Sequence, residues 1–87
     1  MKRLNKIARR IIALAEEAEQ FIQECEDSGN FGESEIGQIR WGFRNGLTME
    51  QVKVFAKPEF KWQQMEEIRK DLEDGMSIDE VKENYNL

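Results

Sequence analysis

The chain has 87 residues, 39% of them hydrophobic and 36% charged, so its core is thin: at this size roughly 60–65% of the unfolded surface is buried on folding, and there is no length for a second domain or a deep substrate cavity. Cys25 is the only cysteine and histidine is absent, which excludes a disulfide within the chain, a thiolate zinc site and the usual general base near neutral pH. The net charge of −5 is unevenly spread: Lys2, Arg3, Lys6, Arg9 and Arg10 precede every acidic residue, leaving 8 basic against 18 acidic residues in the remainder, a body that repels nucleic acid behind a tip that could attract it.

The basic start does not read as a secretory leader, because Arg9 and Arg10 and then Glu16 and Glu17 interrupt the apolar stretch. No apolar run approaches the ~18 residues of a membrane span, so no membrane contact is expected and the protein is placed in a bacterial or host cytosol.

From residue 3 to 27 the apolar positions follow a helical period. Leu4, Ile7, Ile11, Leu14, Ala18, Phe21 and Cys25 step by 3, 4, 3, 4, 3, 4, the seam of a heptad repeat. Ala8, Ile12, Ala15 and Ile22 widen it into a stripe, and Ser28-Gly29-Asn30 ends the helix, with glycine at the C-cap.

The chain then repeats itself at a constant offset: Phe31/Phe60, Ile39/Ile68, Arg40/Arg69, Gly46/Gly75, Val52/Val81 and Lys53/Lys82 are identical pairs. Two units follow, 31–58 and 60–87, each predicted as helix, tight turn and shorter helix. Ile36, Ile39 and Phe43 line one face of the first, and Met65, Ile68 and Leu72 that of the second. Asn45-Gly46 and Asp74-Gly75 stop the first helices; Thr48 with Gln51 and Ser77 with Glu80 restart the chain as capping boxes. Val52, Phe55 and Ala56 face inward in the first short helix and Val81 and Tyr85 in the second, and Pro58 closes the first unit.

A single hairpin cannot bury its own apolar face, and two units are fewer than a free-standing array requires. The fold class expected is therefore all-α, one domain over 1–87, with the long N-terminal helix packed across both hairpins as the missing layer. The alternative is that its stripe pairs with another chain.

The segment Trp62-Gln63-Gln64-Met65-Glu66-Glu67-Ile68-Arg69, continuing to Leu72-Glu73-Asp74-Gly75-Met76-Ser77 and preceded by Phe55-Ala56-Lys57-Pro58-Glu59-Phe60, resembles tandem repeats in small uncharacterised proteins of gut Firmicutes, their phages and mobile elements. The resemblance covers residues 31–85 and implies a helical repeat of bacterial or phage origin, with no catalytic residues. The first unit departs from it, having Gly37-Gln38 where the second has Glu66-Glu67, and the N-terminal helix lies outside it.

Catalysis finds no support in the residues. Ser28, Thr48 and Ser77 serve helix ends, Ser34 is an ordinary helix-start residue, and Cys25 sits on the apolar seam as a buried, inert thiol. Asp71, Glu73 and Asp74 before Gly75 lack the spacing of a calcium loop, so no metal and no cofactor are expected. The stretch Gly46-Leu47-Thr48-Met49-Glu50-Gln51-Val52 looks like the lead-in to a DNA-binding helix-turn-helix, but the next long helix carries Glu66, Glu67, Asp71, Glu73 and Asp74, which phosphates would repel. A capped helical hairpin is the better reading.

Surfaces remain. Basic residues at the start of helix 1 and Glu24, Glu26 and Asp27 at its end both oppose the helix dipole. An antiparallel dimer, a basic tip for nucleic acid or an acidic protein, and a solvated start each answer that pattern. Trp41 lies about 200° from both Ile39 and Phe43, off its helix's apolar face, and Lys70 occupies the equivalent place in the second unit. With Arg44 one turn ahead and Gly37 one turn behind, it reads either as a partner anchor or as a patch under helix 1. Trp62, nearer the Met65 face, is placed in the core or at the hairpin junction.

These readings combine into a non-catalytic protein–protein interaction module of phage or mobile-element origin, of the kind that inhibits a host defence complex, an anti-CRISPR being the concrete case. Its partner is a host or self protein, met through Trp41 and Arg44, through the basic tip of Lys2, Arg3, Lys6, Arg9 and Arg10, or through an acidic, nucleic-acid-mimicking face of Glu66, Glu67, Asp71 and Asp74. The alternatives are a nucleic-acid-binding regulator that uses the basic end of helix 1, and a structural module that forms a homodimer through that helix.

Overall fold

A computed structural model describes the backbone of residues 6–87 and the side chains of residues 15–87. The chain is all-helical, with five α-helices and no strand among the described residues: α1 (Lys6–Ser28), α2 (Glu33–Arg44), α3 (Met49–Phe55), α4 (Trp62–Glu73) and α5 (Ile78–Tyr85). The long helix expected over 3–27 is α1; its expected start at residue 3 falls outside the described residues. Gly29 follows it at φ +72°, where glycine carries no Cβ penalty.

The two helix–turn–helix segments are built by the same local chemistry. Both α2 and α4 have 12 residues, and they begin at equivalent positions of the two units, Glu33 and Trp62. Each ends in a left-handed glycine, Gly46 at φ +94° and Gly75 at +103°. The amide of Gly46 donates to Phe43 O at 3.1 Å and that of Leu47 to Gly42 O at 3.0 Å; Gly75 to Leu72 O (3.1 Å) and Met76 to Asp71 O (3.0 Å) match them. These are the two bonds of a Schellman motif, and they satisfy carbonyls that the last helical turn leaves unpaired. Thr48 then caps α3 by accepting from the Gln51 amide at 3.2 Å while Gln51 Oε1 accepts from the Thr48 amide at 2.8 Å. Ser77 and Glu80 repeat the arrangement at α5, at 3.1 and 3.3 Å.

Ile36, Ile39, Leu47, Val52, Val54, Phe55, Met65, Ile68, Leu72 and Val81 form the core, joined by Ile22 and Cys25 from α1. Phe55, Ile39, Met65 and Ile68 are its largest fully buried side chains. α4 is central, packing on α2, α3 and α5. At Gly42 the backbone of α2 comes against α3: a Cβ there would lie 2.9 Å from the Phe55 ring and 3.3 Å from Val52.

The expected placing of α1 across both hairpins is corrected. α1 packs chiefly on α2, and it does so antiparallel, since Phe21 meets Phe43 edge-to-face (ring centroids 6.2 Å apart) while Glu26, further along, meets Arg40. α4 packs on α2 as well, and among the described residues α1 makes no comparable contact with the second hairpin.

Candidate protein-interaction surface

Around the axis of α2, Ile36, Arg40 and Phe43 turn toward α1, and Ile39 and Gly42 toward α3 and the core. Gln38 and Asn45 reach α4. At about 100° per residue the remaining sector holds Gly37, Trp41 and Arg44, which therefore form the outer face. Trp41 is 49% exposed, so it does not lie beneath α1. The Arg44 guanidinium sits over its ring, 5.2 Å from the centroid. A cation stacked on indole fixes the ring plane without hiding the other face. At Gly37 a Cβ would meet no atom within 4 Å, so the surface one turn back is open and flat.

Trp62 is 39% exposed at the start of α4, so of its two expected places, core or hairpin junction, it takes the junction. It is the first residue of α4, and no earlier turn of its own helix extends the Met65 face beneath it.

Beside this face runs a polar network that the sequence did not single out. Arg69 is only 8% exposed; its Nε donates to Gln38 Oε1 at 2.9 Å and its Nη1 to both carboxylate oxygens of Glu73, at 2.9 and 2.8 Å. Asn45 Nδ2 donates to Glu73 Oε2 at 2.9 Å, closing the link between α2 and α4. The order of the contacts, Gln38 with Arg69 and Asn45 with Glu73, shows the two helices to run parallel. The one signal available in the sequence was the identity of Arg69 with its counterpart Arg40 in the first unit. Arg40 also reaches the preceding helix, bonding Glu26 at 2.6 Å, but that pair is exposed and borders an open cleft of about 420 Å³ between α1 and α2, with Phe31, Glu33 and Ile36.

The acidic residues of α4 are engaged unequally. Glu66 pairs with Lys70 at 3.2 Å, and Asp71 accepts a hydrogen bond from the Tyr85 hydroxyl of α5. Glu67 and Asp74 are exposed. The bond to Asp71, then burial, then the negative charges of Asp71 and Glu67 push the Tyr85 phenol up to about 12. Lys2 and Arg3 lie outside the described residues, as do the side chains of Lys6, Arg9 and Arg10. Cys25 is buried in the core, and burial followed by the charge of Glu24 raises its thiol pKa.

Among the described residues no helix is long and apolar enough to cross a membrane, and no group of acidic or cysteine side chains is placed to hold a metal. No protein-family model, curated protein or solved structure matches the chain.

Proposed function

We propose that this chain is a non-catalytic protein–protein interaction module anchored by Trp41 with Arg44 stacked upon it. The observation that carries the reading is the exposure of Trp41, 49%, on the outer face of α2 beneath the Arg44 guanidinium. Tryptophan and arginine are the residues on which binding energy concentrates, and a ring held flat by a guanidinium loses little freedom on binding. The lack of histidine and the burial of Cys25 support a role without catalysis. The constant offset of helices, glycines and caps supports reading the two hairpins as copies of one unit, with α1 laid on the first as a cap. Resemblance to phage and mobile-element repeats supports a host protein complex as the target.

The test compares the wild-type chain with Trp41→Ala. Unfolding free energy should change by less than about 1 kcal/mol, as at a surface position. A protein recovered from bacterial lysate by the wild-type chain should bind Trp41→Ala about thirtyfold or more weakly, the equivalent of about 2 kcal/mol. Equal binding by both chains would overturn the anchor.

A further inference from the structure

α1 is much longer than the element it packs on. Its 23 residues span ~34 Å at about 1.5 Å per residue, against ~18 Å for the 12 residues of α2. The two run antiparallel with Phe21 beside Phe43, one residue from the end of α2, so α1 before Phe21 runs past that end. Glu17 and Gln20 still border α3, sharing a cleft of about 270 Å³ with Met49 and Lys53, but Ala15 and Glu16 are exposed. The helix continues from there back to Lys6. The resulting shape is elongated, with a longest dimension of 49 Å and a radius of gyration of 14.2 Å; a compact chain of this length would have about 12 Å.

The sequence pattern does not change where the support ends. Ile7, Ile11, Leu14 and Ala18 continue the same heptad seam that, at Phe21 and Cys25, packs into the core beside α2. A stretch this short is marginal as a lone helix in water, so an apolar seam along it calls for a partner helix.

The order of charges identifies that helix, and we infer that the first half of α1 pairs antiparallel with the same segment of a second copy of this chain. Beside the seam on one flank stand Arg3, Arg10, Glu17 and Glu24, and on the other Ala8, Ala15 and Ile22. α1 has no acidic residue in its first turn and no basic residue in its last, the reverse of what its own dipole favours. In an antiparallel pair Ile11 packs on Leu14 of the second copy and Ile7 on Ala18, and like flanks face each other. Arg10 then stands opposite Glu17 in both directions, and Ala8 opposite Ala15, where small side chains let the helices approach. The copy's basic start arrives at the α1–α3 cleft that Glu17 and Glu24 line. A parallel pair would instead set basic end against basic end, with alanine and isoleucine facing the charged flank.

The full chain in light scattering should show twice its 10.3 kDa mass at high micromolar concentration and dissociate on dilution. Arg10→Glu and Glu17→Arg each place like charges opposite one another, and each should weaken the dimer about tenfold or more. Both changes lie on the flank of the seam, and circular dichroism should show helicity retained. An equimolar mixture of the two variants should recover the wild-type mass, because each supplies the charge the other now faces. Trp41→Ala should dimerise as the wild type does, which separates this contact from the anchor on α2. A wild-type chain that stays monomeric at millimolar concentration overturns the inference. So do single variants that dimerise undiminished, a mixture that fails to recover, or loss of the dimer in Trp41→Ala.

Discussion

The hairpin of α2 and α3 has neighbours on both sides, whereas that of α4 and α5 ends the described structure with a neighbour on one side only. The turn and the capped restart between their helices are alike bond for bond, yet the residues around them follow the neighbours. Val54 and Phe55 in α3 are buried, while Glu83 and Asn84, at the equivalent positions of α5, are exposed. Gly42 yields its side-chain space to the Phe55 ring; its equivalent, Asp71, faces no such ring and takes the Tyr85 hydroxyl instead. The arginines differ in the opposite sense. Arg69, between two helices that run alongside each other, is buried and bonded through Nε and Nη1, whereas Arg40, beside an open cleft, keeps one exposed partner. Turn chemistry sets the hairpin, and position in the stack sets which of its faces must be apolar.

Exchanging residues between equivalent positions tests that separation. The largest effect is expected for Phe55→Asn, which gives α3 the residue of α5: it empties ring space against Gly42 and buries an amide, and should cost about 3–5 kcal/mol in denaturant unfolding. The reverse change, Asn84→Phe, should stay within about 1 kcal/mol because that position is exposed. Comparable losses at both sites would remove the distinction between inner and terminal hairpin. Next comes the arginine pair. Arg69→Ala leaves Glu73, at 19% side-chain exposure, without its main partner and should cost about 2 kcal/mol. Arg40→Ala, whose pair is exposed at both ends, should cost less than about 1 kcal/mol.

The smallest effect is expected at the terminal hairpin's own substitute for ring packing. Tyr85→Phe should cost about 1 kcal/mol at neutral pH, and its signature is the alkaline limb. Below the ordinary phenol value of 10.0 the hydroxyl is protonated in folded and unfolded chains alike, so the bond to Asp71 contributes in full. Above it the unfolded chain loses its proton first, and this contribution falls until the folded phenol ionises at about 12. Stability curves of the two chains should therefore converge between those values, and curves that stay parallel would mean that Tyr85 does not lean on Asp71.

Much of the fold was legible because its instructions are local. Asn45-Gly46 with Thr48 and Gln51, and Asp74-Gly75 with Ser77 and Glu80, specify a stop and a restart within a few residues, and both appear as read. The angle of Trp41 placed it off its own helix's apolar face but left open whether it lay under helix 1; its exposure decides that. What failed depends on which helix lies beside which. Spacing could not tell that α4 occupies the side of α2 that α1 was expected to share, that Arg69 would be enclosed and Arg40 left open, or that Tyr85 would engage Asp71. For Trp62 the angle left core and hairpin junction both open, and the junction holds because a first-turn residue has no preceding turn to carry the Met65 face beneath it. The basic tip of Lys2 and Arg3 was read from charge alone and lies outside the described residues.

The bonds around Arg69 also bear on how a stack of parallel helices keeps its alignment. Ile39 shares the core with Met65, Ile68 and Leu72, aliphatic surfaces that would fit nearly as well after one helix slid by a single turn, ~5.4 Å. Carbon burial barely distinguishes the two positions. Gln38 and Asn45 meet Arg69 and Glu73 at one setting only, and a one-turn slip would leave the Arg69–Glu73 pair within α4 intact but take from the buried Arg69 its Gln38 acceptor and from Glu73 its Asn45 donor. The network works like the notch on a sliding rule, holding α2 and α4 at a single height so that the outer face of α2 is presented in one form.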